Sequence, residues 1–209
     1  MPETNDSCTF MDLKRALQSF QSNRLNDTYA DVKDDPEYSR IGIFFFEKLY
    51  APEDFTFRDT SMRKLQKLLE GRIYRGMVSA MHKVIELHEL TEKLDDLMVE
   101  QMQARGIGPD LTMEQYREIY RALDNYDERL FQIGLSLEVT QTFYGLSKKW
   151  IVAISLKTVR SAAHLIGVGK ILDFIHEGYQ GLRAISDIGY FIDTVRERET
   201  AWHRDIWGR

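Results

Sequence analysis

The chain has 209 residues, 43% of them hydrophobic, with 28 basic and 33 acidic side chains and a formal net charge of -5. This composition excludes a disordered chain. It also gives no electrostatic reason for nucleic acid or an anionic membrane to be the main partner, leaving Lys148 and Lys149 as a local basic pair.

The opening MPETNDSCTF is polar and acidic, unlike a secretory signal, and is expected to fray over about residues 1–8. Cys8 is the only cysteine, so no intrachain disulfide can form and a cytoplasmic location fits. Strand signals are nearly absent, and apolar residues recur at three and four. A first helix is predicted over Phe10–Val32, with Leu13, Leu17, Phe20, Leu25 and Tyr29 inward. Asp35 then caps a second helix that has Pro36 at its first position and ends near Tyr50. Ala51–Asp59 reads as a loop, and Asp59 as the N-cap of a third helix starting at Thr60.

That third helix is predicted to reach Ala104, kinked near Gly71, with a stripe of Met77, Met81, Val84, Leu87, Leu94, Met98 and Met102. The run Arg105-Gly-Ile-Gly-Pro109 breaks it. Thr112-x-x-Gln115 is a capping box that opens a fourth helix, ending near Asn125. A fifth helix is expected over Asp127–Lys157, with Leu130, Ile133, Leu137, Tyr144, Ile151 and Ile154 inward. Its apolar run Trp150–Leu156 is far short of the roughly 20 residues that span a bilayer. A short helical turn at Ser161–Ile166 precedes a last helix over Val168–Trp207. The expected architecture is a single all-α domain over residues 1–209, a bundle of about six helices with the aromatic-rich helix at its centre.

Three consecutive phenylalanines lie on the second helix, in IGIFFFEKLYAPEDFTFRD, residues 41–59. Phe44-Phe45-Phe46-Glu47-Lys48-Leu49-Tyr50 resembles the signature of the bacterial "FFLEELY motif" proteins. Phe46 stands for the motif's Leu and Lys48 for its second Glu. Ala51-Pro52-x-Asp54-Phe55-x-x-Arg58-Asp59 resembles the family's continuation, with Ala51 in place of Gly. Leu94-Asp95, Arg129-Leu-Phe-Gln132-Ile133, Phe174-Ile-His-Glu177-Gly178 and Arg196-Glu197-Arg198-Glu199 resemble later blocks. The resemblance implies an all-helical bacterial protein and supplies no catalytic residues.

The candidate binding residues are therefore Phe44, Phe45, Glu47, Tyr50, Pro52, Asp54, Arg58 and Asp59. The phenylalanines read first as a buried core helix and second as a pocket wall. Gly42, Glu47 and Lys48 are the positions left for solvent. Arg58 between Asp54 and Asp59 reads as local pairing, with an anion site at the helix start as the sharper reading.

His82, Glu86 and Glu89 share one helix face, and Asp173 with His176 offers a second half for a metal pair. No Glu-x-x-His pair exists, and the His82 face lies off the apolar stripe, so no metal and no cofactor are expected. His164 reads as a half-buried histidine satisfied by one backbone carbonyl. Gly178, Gly181 and Gly189 in the last helix cost roughly 1 kcal/mol each. They point to a close helix crossing or, failing that, to a homodimer face or acyl groove. The functional expectation is a non-enzymatic interaction or regulatory module, acting through the last helix and the Tyr50–Asp59 loop. The alternatives are a carrier of an apolar or acyl ligand and, behind it, a metal-dependent enzyme.

Overall fold

The computed structural model describes residues 8–49, 64 and 75–209. All regular structure among them is helical. The elements are α1 Phe10–Thr28, α2 Ala30–Asp34, α3 Ser39–Ile43 continued by a π-helical segment Phe44–Leu49, and α4 Arg75–Ala104. After these come α5 Met113–Ala122, α6 Tyr126–Ser147, α7 Trp150–Leu165, α8 Gly169–Ala184 and α9 Gly189–Trp207.

The caps follow from the sequence. Thr9 and Asp12 form a capping box at α1, and Thr112 and Gln115 form the expected one at α5. The Asp35 carboxylate accepts from the amides of Glu37 and Tyr38, so it caps the turn that feeds α3. The position of Asp59 lies outside the described residues, as does the Gly71 kink.

The expected count of about six helices is too low because three predicted helices are interrupted. Tyr29 leaves helical geometry between α1 and α2, at φ -115° and ψ 22°. Lys148 and Lys149 separate α6 from α7; Lys148 Nζ turns back to donate to the carbonyls of Arg183 and Ile185. Ile185 is extended, at φ -74° and ψ 135°, and ends α8 before α9 begins. The Ser161–Ile166 turn is the end of α7 rather than a separate piece.

The break after α6 also resets the helical phase. Ile151 and Ile154, past this break, were expected inside, yet they are 39% and 53% exposed. Leu130 and Arg129 depart from the expected stripe within α6 itself, at 37% and 4% exposed.

The hub of the described bundle is α6, which packs against α4, α7, α8 and α9. The aromatic helix is buried and, among the described elements, packs against α1, α2, α8 and Phe191 of α9. Three apolar clusters result. One joins Met77 and Met81 to Val152, Leu156 and Leu172. A second gathers Tyr29, Ile41, Phe44, Phe46, Leu182 and Phe191. The third holds Leu17, Met98, Met102, Ile119 and Ile206. Cys8, expected in a frayed tail, is partly buried against this third cluster.

Candidate functional site

The π-helical segment explains how three consecutive phenylalanines can all be used. A π turn is wider than an α turn, so adjacent side chains spread over less of the circumference. Phe44 and Phe46 are buried and Phe45 partly so. Phe44 meets Phe174 at 4.8 Å between ring centroids, Phe45 meets Phe191 at 5.5 Å, and Phe46 stacks on Tyr29 at 4.1 Å. Glu47 is exposed and pairs with Lys33 at 3.1 Å. Gly42, expected at the surface, is buried; a Cβ there would sit 3.2 Å from Lys33 Cγ. Tyr50, Pro52, Asp54, Arg58 and Asp59 lie outside the described residues.

Gly178 and Gly181 of α8 are accounted for by this aromatic helix. A Cβ on Gly178 would lie 2.6 Å from Phe44 Cζ, and one on Gly181 would lie 3.4 Å from Ile41 Cδ1. Their surface is thus filled by an intramolecular crossing. Gly189 belongs to a turn instead, where its amide donates to Asp187.

Three of the other segments that carried the resemblance, around Leu94-Asp95, Arg129–Gln132 and Arg198-Glu199, contribute to a largely buried polar layer, whereas the Phe174–Gly178 segment packs on the aromatic helix. Arg129 Nη2 donates to the Leu94 carbonyl at 3.1 Å, and Gln132 Nε2 donates to Thr91 at 2.9 Å. Gln21 donates to Asp95 at 3.0 Å. Burial pushes the Asp95 carboxyl up, and the charge of Arg129 pulls it partway back. Arg24 forms a two-pronged pair with Glu199, at 2.9 and 2.8 Å, and lies 4.2 Å over the Trp202 ring. Tyr29 donates to Glu199 at 2.9 Å, and burial carries its phenol far above the usual range. At the exposed edge of this layer, Arg198 pairs with Asp31 through both prongs, at 2.7 Å each.

His203 is fully buried, with Nδ1 3.0 Å from the Tyr120 hydroxyl. Burial holds its pKa below the ordinary histidine value, opposed by the Tyr126 backbone, so the ring is neutral near pH 7. Trp207 folds back beside it, edge-on to Tyr126 at 5.5 Å.

The metal candidates do not converge. His82, Glu86 and Glu89 are exposed, on the side of α4 away from Met77 and Met81. Asp173 instead faces His164 at 3.5 Å, and His176 faces Gln180 at 2.9 Å. His164 is itself exposed, with its ring against Gly169 and its partner a carboxylate rather than the expected backbone carbonyl.

Two features had no place in the sequence reading. First, an open cleft of about 490 Å³ lies at the α5–α6 junction, bordered by Asp124, Asn125, Tyr126, Asp127, Glu128 and Arg209. Second, α7 carries apolar residues on two sides. Val152, Leu156 and Ala163 face the core, whereas Trp150 is 72% and Leu165 88% exposed. A sequence signal for the second existed: residues 139–172 contain no Asp or Glu and five Lys or Arg.

A family model described as "Domain of unknown function (DUF8198)" matches residues 2–208. The chain belongs to this family. No curated protein and no solved structure matches the chain. Among its described residues, no helix is long and apolar enough to cross a membrane.

Proposed function

We propose that this DUF8198 member is a single-domain, non-enzymatic interaction module, and that α7 is its docking face. The observation that carries the reading is the outward line of Trp150, Ile154, Lys157 and Leu165. These positions follow helical spacing on the side of α7 opposite Val152, Leu156 and Ala163. Ile166 extends the line past the helix end, 45% exposed. Large exposed apolar side chains gathered on one face mark interaction surfaces, whereas scattered ones do not.

The occupant we propose is an acidic, amphipathic segment of a protein partner. The stretch 139–172 carries five Lys or Arg and no Asp or Glu on a chain of net charge -5, which favours an acidic partner. Two copies docked α7 to α7 would bring like charges together. The carrier reading draws less support, since the phenylalanine rings pack on one another and on Gly178. A bacterial cytoplasmic setting rests on the motif resemblance and the lone cysteine.

Photo-cross-linkers at positions 150 and 165, with position 114 as an exposed control, test this reading in cells. Both α7 positions should capture one acid-rich polypeptide that the control misses. That polypeptide, once purified, should bind saturably, lose affinity with added salt, and fail to bind a folded Trp150→Ser/Leu165→Ser variant. Capture no different from the control, binding to anionic vesicles instead, or self-association through α7 would each defeat the proposal.

A further inference from the structure

The hub helix α6 packs against four others, yet one line of it stays outside the bundle. Asp127, Phe131, Gly134, Glu138, Gln141 and Gly145 are all exposed and follow one another at intervals of four and three. That is the period of a seam between two helices packed nearly in line. Phe131 is 54% exposed, and Leu130 beside it is 37% exposed. Gly134 and Gly145 stand within a 22-residue helix, where glycine is less favourable than alanine. Neither has the positive φ that would require glycine, and a Cβ at either would meet no atom within 4 Å. Gly178 differs, since its surface seats Phe44 of the same chain.

The charge on this face is divided along its length. Asp127, Glu128 and Glu138 stand in the first half, whereas residues 139–149 hold no Asp or Glu and end in Lys148 and Lys149. Glu128 pairs with Lys93 and Glu138 with Lys83, both of α4. Lys148 donates to the carbonyls of Arg183 and Ile185, neutral groups that leave its positive charge in place. A second α6 laid parallel would set like ends together. One laid antiparallel and crossing at Glu138 sets opposite ends together. In that register Asp127 stands opposite Lys149, Glu128 opposite Lys148, and Phe131 opposite Gly145, since the members of each pair are equally far from residue 138. The exposed ring thus faces the position that has no side chain, at both ends of a two-fold contact. Glu138 meets its own copy on the axis, where each carries its Lys83 countercharge. One register satisfies shape and charge together, so the face is its own complement and its occupant is a second copy of this chain.

We infer that the protein forms an antiparallel two-fold dimer through the outer line of α6, with Phe131 of each copy over Gly145 of the other and Asp127 opposite Lys149. One aromatic anchor per copy around a polar centre fits a reversible dimer rather than an obligate one. The contact is carried by α6 and does not depend on what docks on α7.

Sedimentation velocity of the full chain from roughly 1 µM to 1 mM should show a dimer that grows with concentration. Phe131→Ser should weaken it about tenfold or more. Gly145→Gln fills the receiving position on an exposed helix surface, and it should weaken the dimer similarly while thermal stability is kept. Charge exchange tests the register. Asp127→Lys and Lys149→Asp should each weaken self-association, because each sets like charges at both ends of the contact. An equimolar mixture of the two variants should dimerise like the parent chain, since both ends are then complementary. A chain that stays monomeric over this range overturns the inference. So does a dimer that keeps parent affinity in both Phe131→Ser and Gly145→Gln, or a mixture that fails to recover. A dimer indifferent to these changes but lost in Trp150→Ser/Leu165→Ser would place self-association on α7, against this inference and the docking reading together.

Discussion

Two buried regions meet at Tyr29 and are held by different physics. On one side the Tyr29 ring stacks on Phe46, at an interplanar angle of 3°, within a layer of phenylalanines and glycines. On the other side its hydroxyl donates to Glu199, within a layer of paired charges. The aromatic layer depends on shape. Its energy comes from area removed from water, and it has no tolerance for an added atom at Gly178. The polar layer depends on complete pairing. Its groups have lost their water, so each partner is needed chiefly to prevent an unpaired charge.

This contrast predicts how each layer breaks. The largest effect is expected at the Arg24–Glu199 pair. Glu199→Ala should cost about 3–5 kcal/mol, because it leaves Arg24 buried without a countercharge. Joint replacement, Arg24→Met with Glu199→Leu, should recover most of that loss. Urea unfolding of the three variants measures both numbers, and a double variant no better than Glu199→Ala would mean the layer is not governed by pairing.

Phe46→Ala should cost a similar amount, about 3–5 kcal/mol, by emptying a filled site. Phe45→Ala should cost less, since that ring is only partly buried. Equal losses at the two positions would contradict the π-helical placement.

Gly178→Ala should destabilise by about 1–3 kcal/mol through overpacking against Phe44. Combining it with Phe44→Leu should recover part of this, and strict additivity of the two would show that they do not touch.

The polar layer also carries a pH signature that the aromatic layer lacks. Asp95 has a raised carboxyl pKa in the folded chain, so between the unfolded and folded values the native state binds more protons. Its contribution to stability therefore falls as pH rises through that window and improves as pH drops toward the unfolded value. Asp31, at the solvent-exposed edge of that layer, has its carboxyl lowered chiefly by its hydrogen bonds from Arg198 and acts in the opposite sense. Its contribution is present above the unfolded pKa and is lost as pH falls through the folded one. Asp95→Asn should remove the first trend, Asp31→Asn the second, and unfolding curves taken between pH 3 and 7 would separate them. The smallest effect is local: Thr112→Ala should cost about 1 kcal/mol from the cap of α5, with Thr112→Ser restoring it.

How much was legible depends on the range of the interaction. Caps at Asp35 and Thr112 were readable because a side chain and an amide two or three residues away satisfy each other locally. The Met98–Met102 stripe was readable because one unbroken helix keeps its phase. The interruptions at Tyr29, Lys148 and Ile185 were not readable, because no proline or turn pair marks them. Lys148 ends α6 by reaching carbonyls at 183 and 185, a partner that sequence spacing does not reveal. Arg129 was missed for the same reason. A charged residue reads as solvent-facing until the carbonyl that receives it, on Leu94, is brought beside it.

By itself the sequence determined an all-helical chain with a phenylalanine-rich buried segment and an exposed His82 face, since periodicity and composition act within a few residues. Only the tertiary structure decided that α6 rather than the aromatic helix is the hub, and that Gly178 is the seat of Phe44. It alone decided that Phe131, Trp150 and Leu165 remain outside. Each of these depends on which surfaces meet across the bundle. Residues far apart in sequence fix that jointly, through the requirement that buried volume be filled and buried charge be paired.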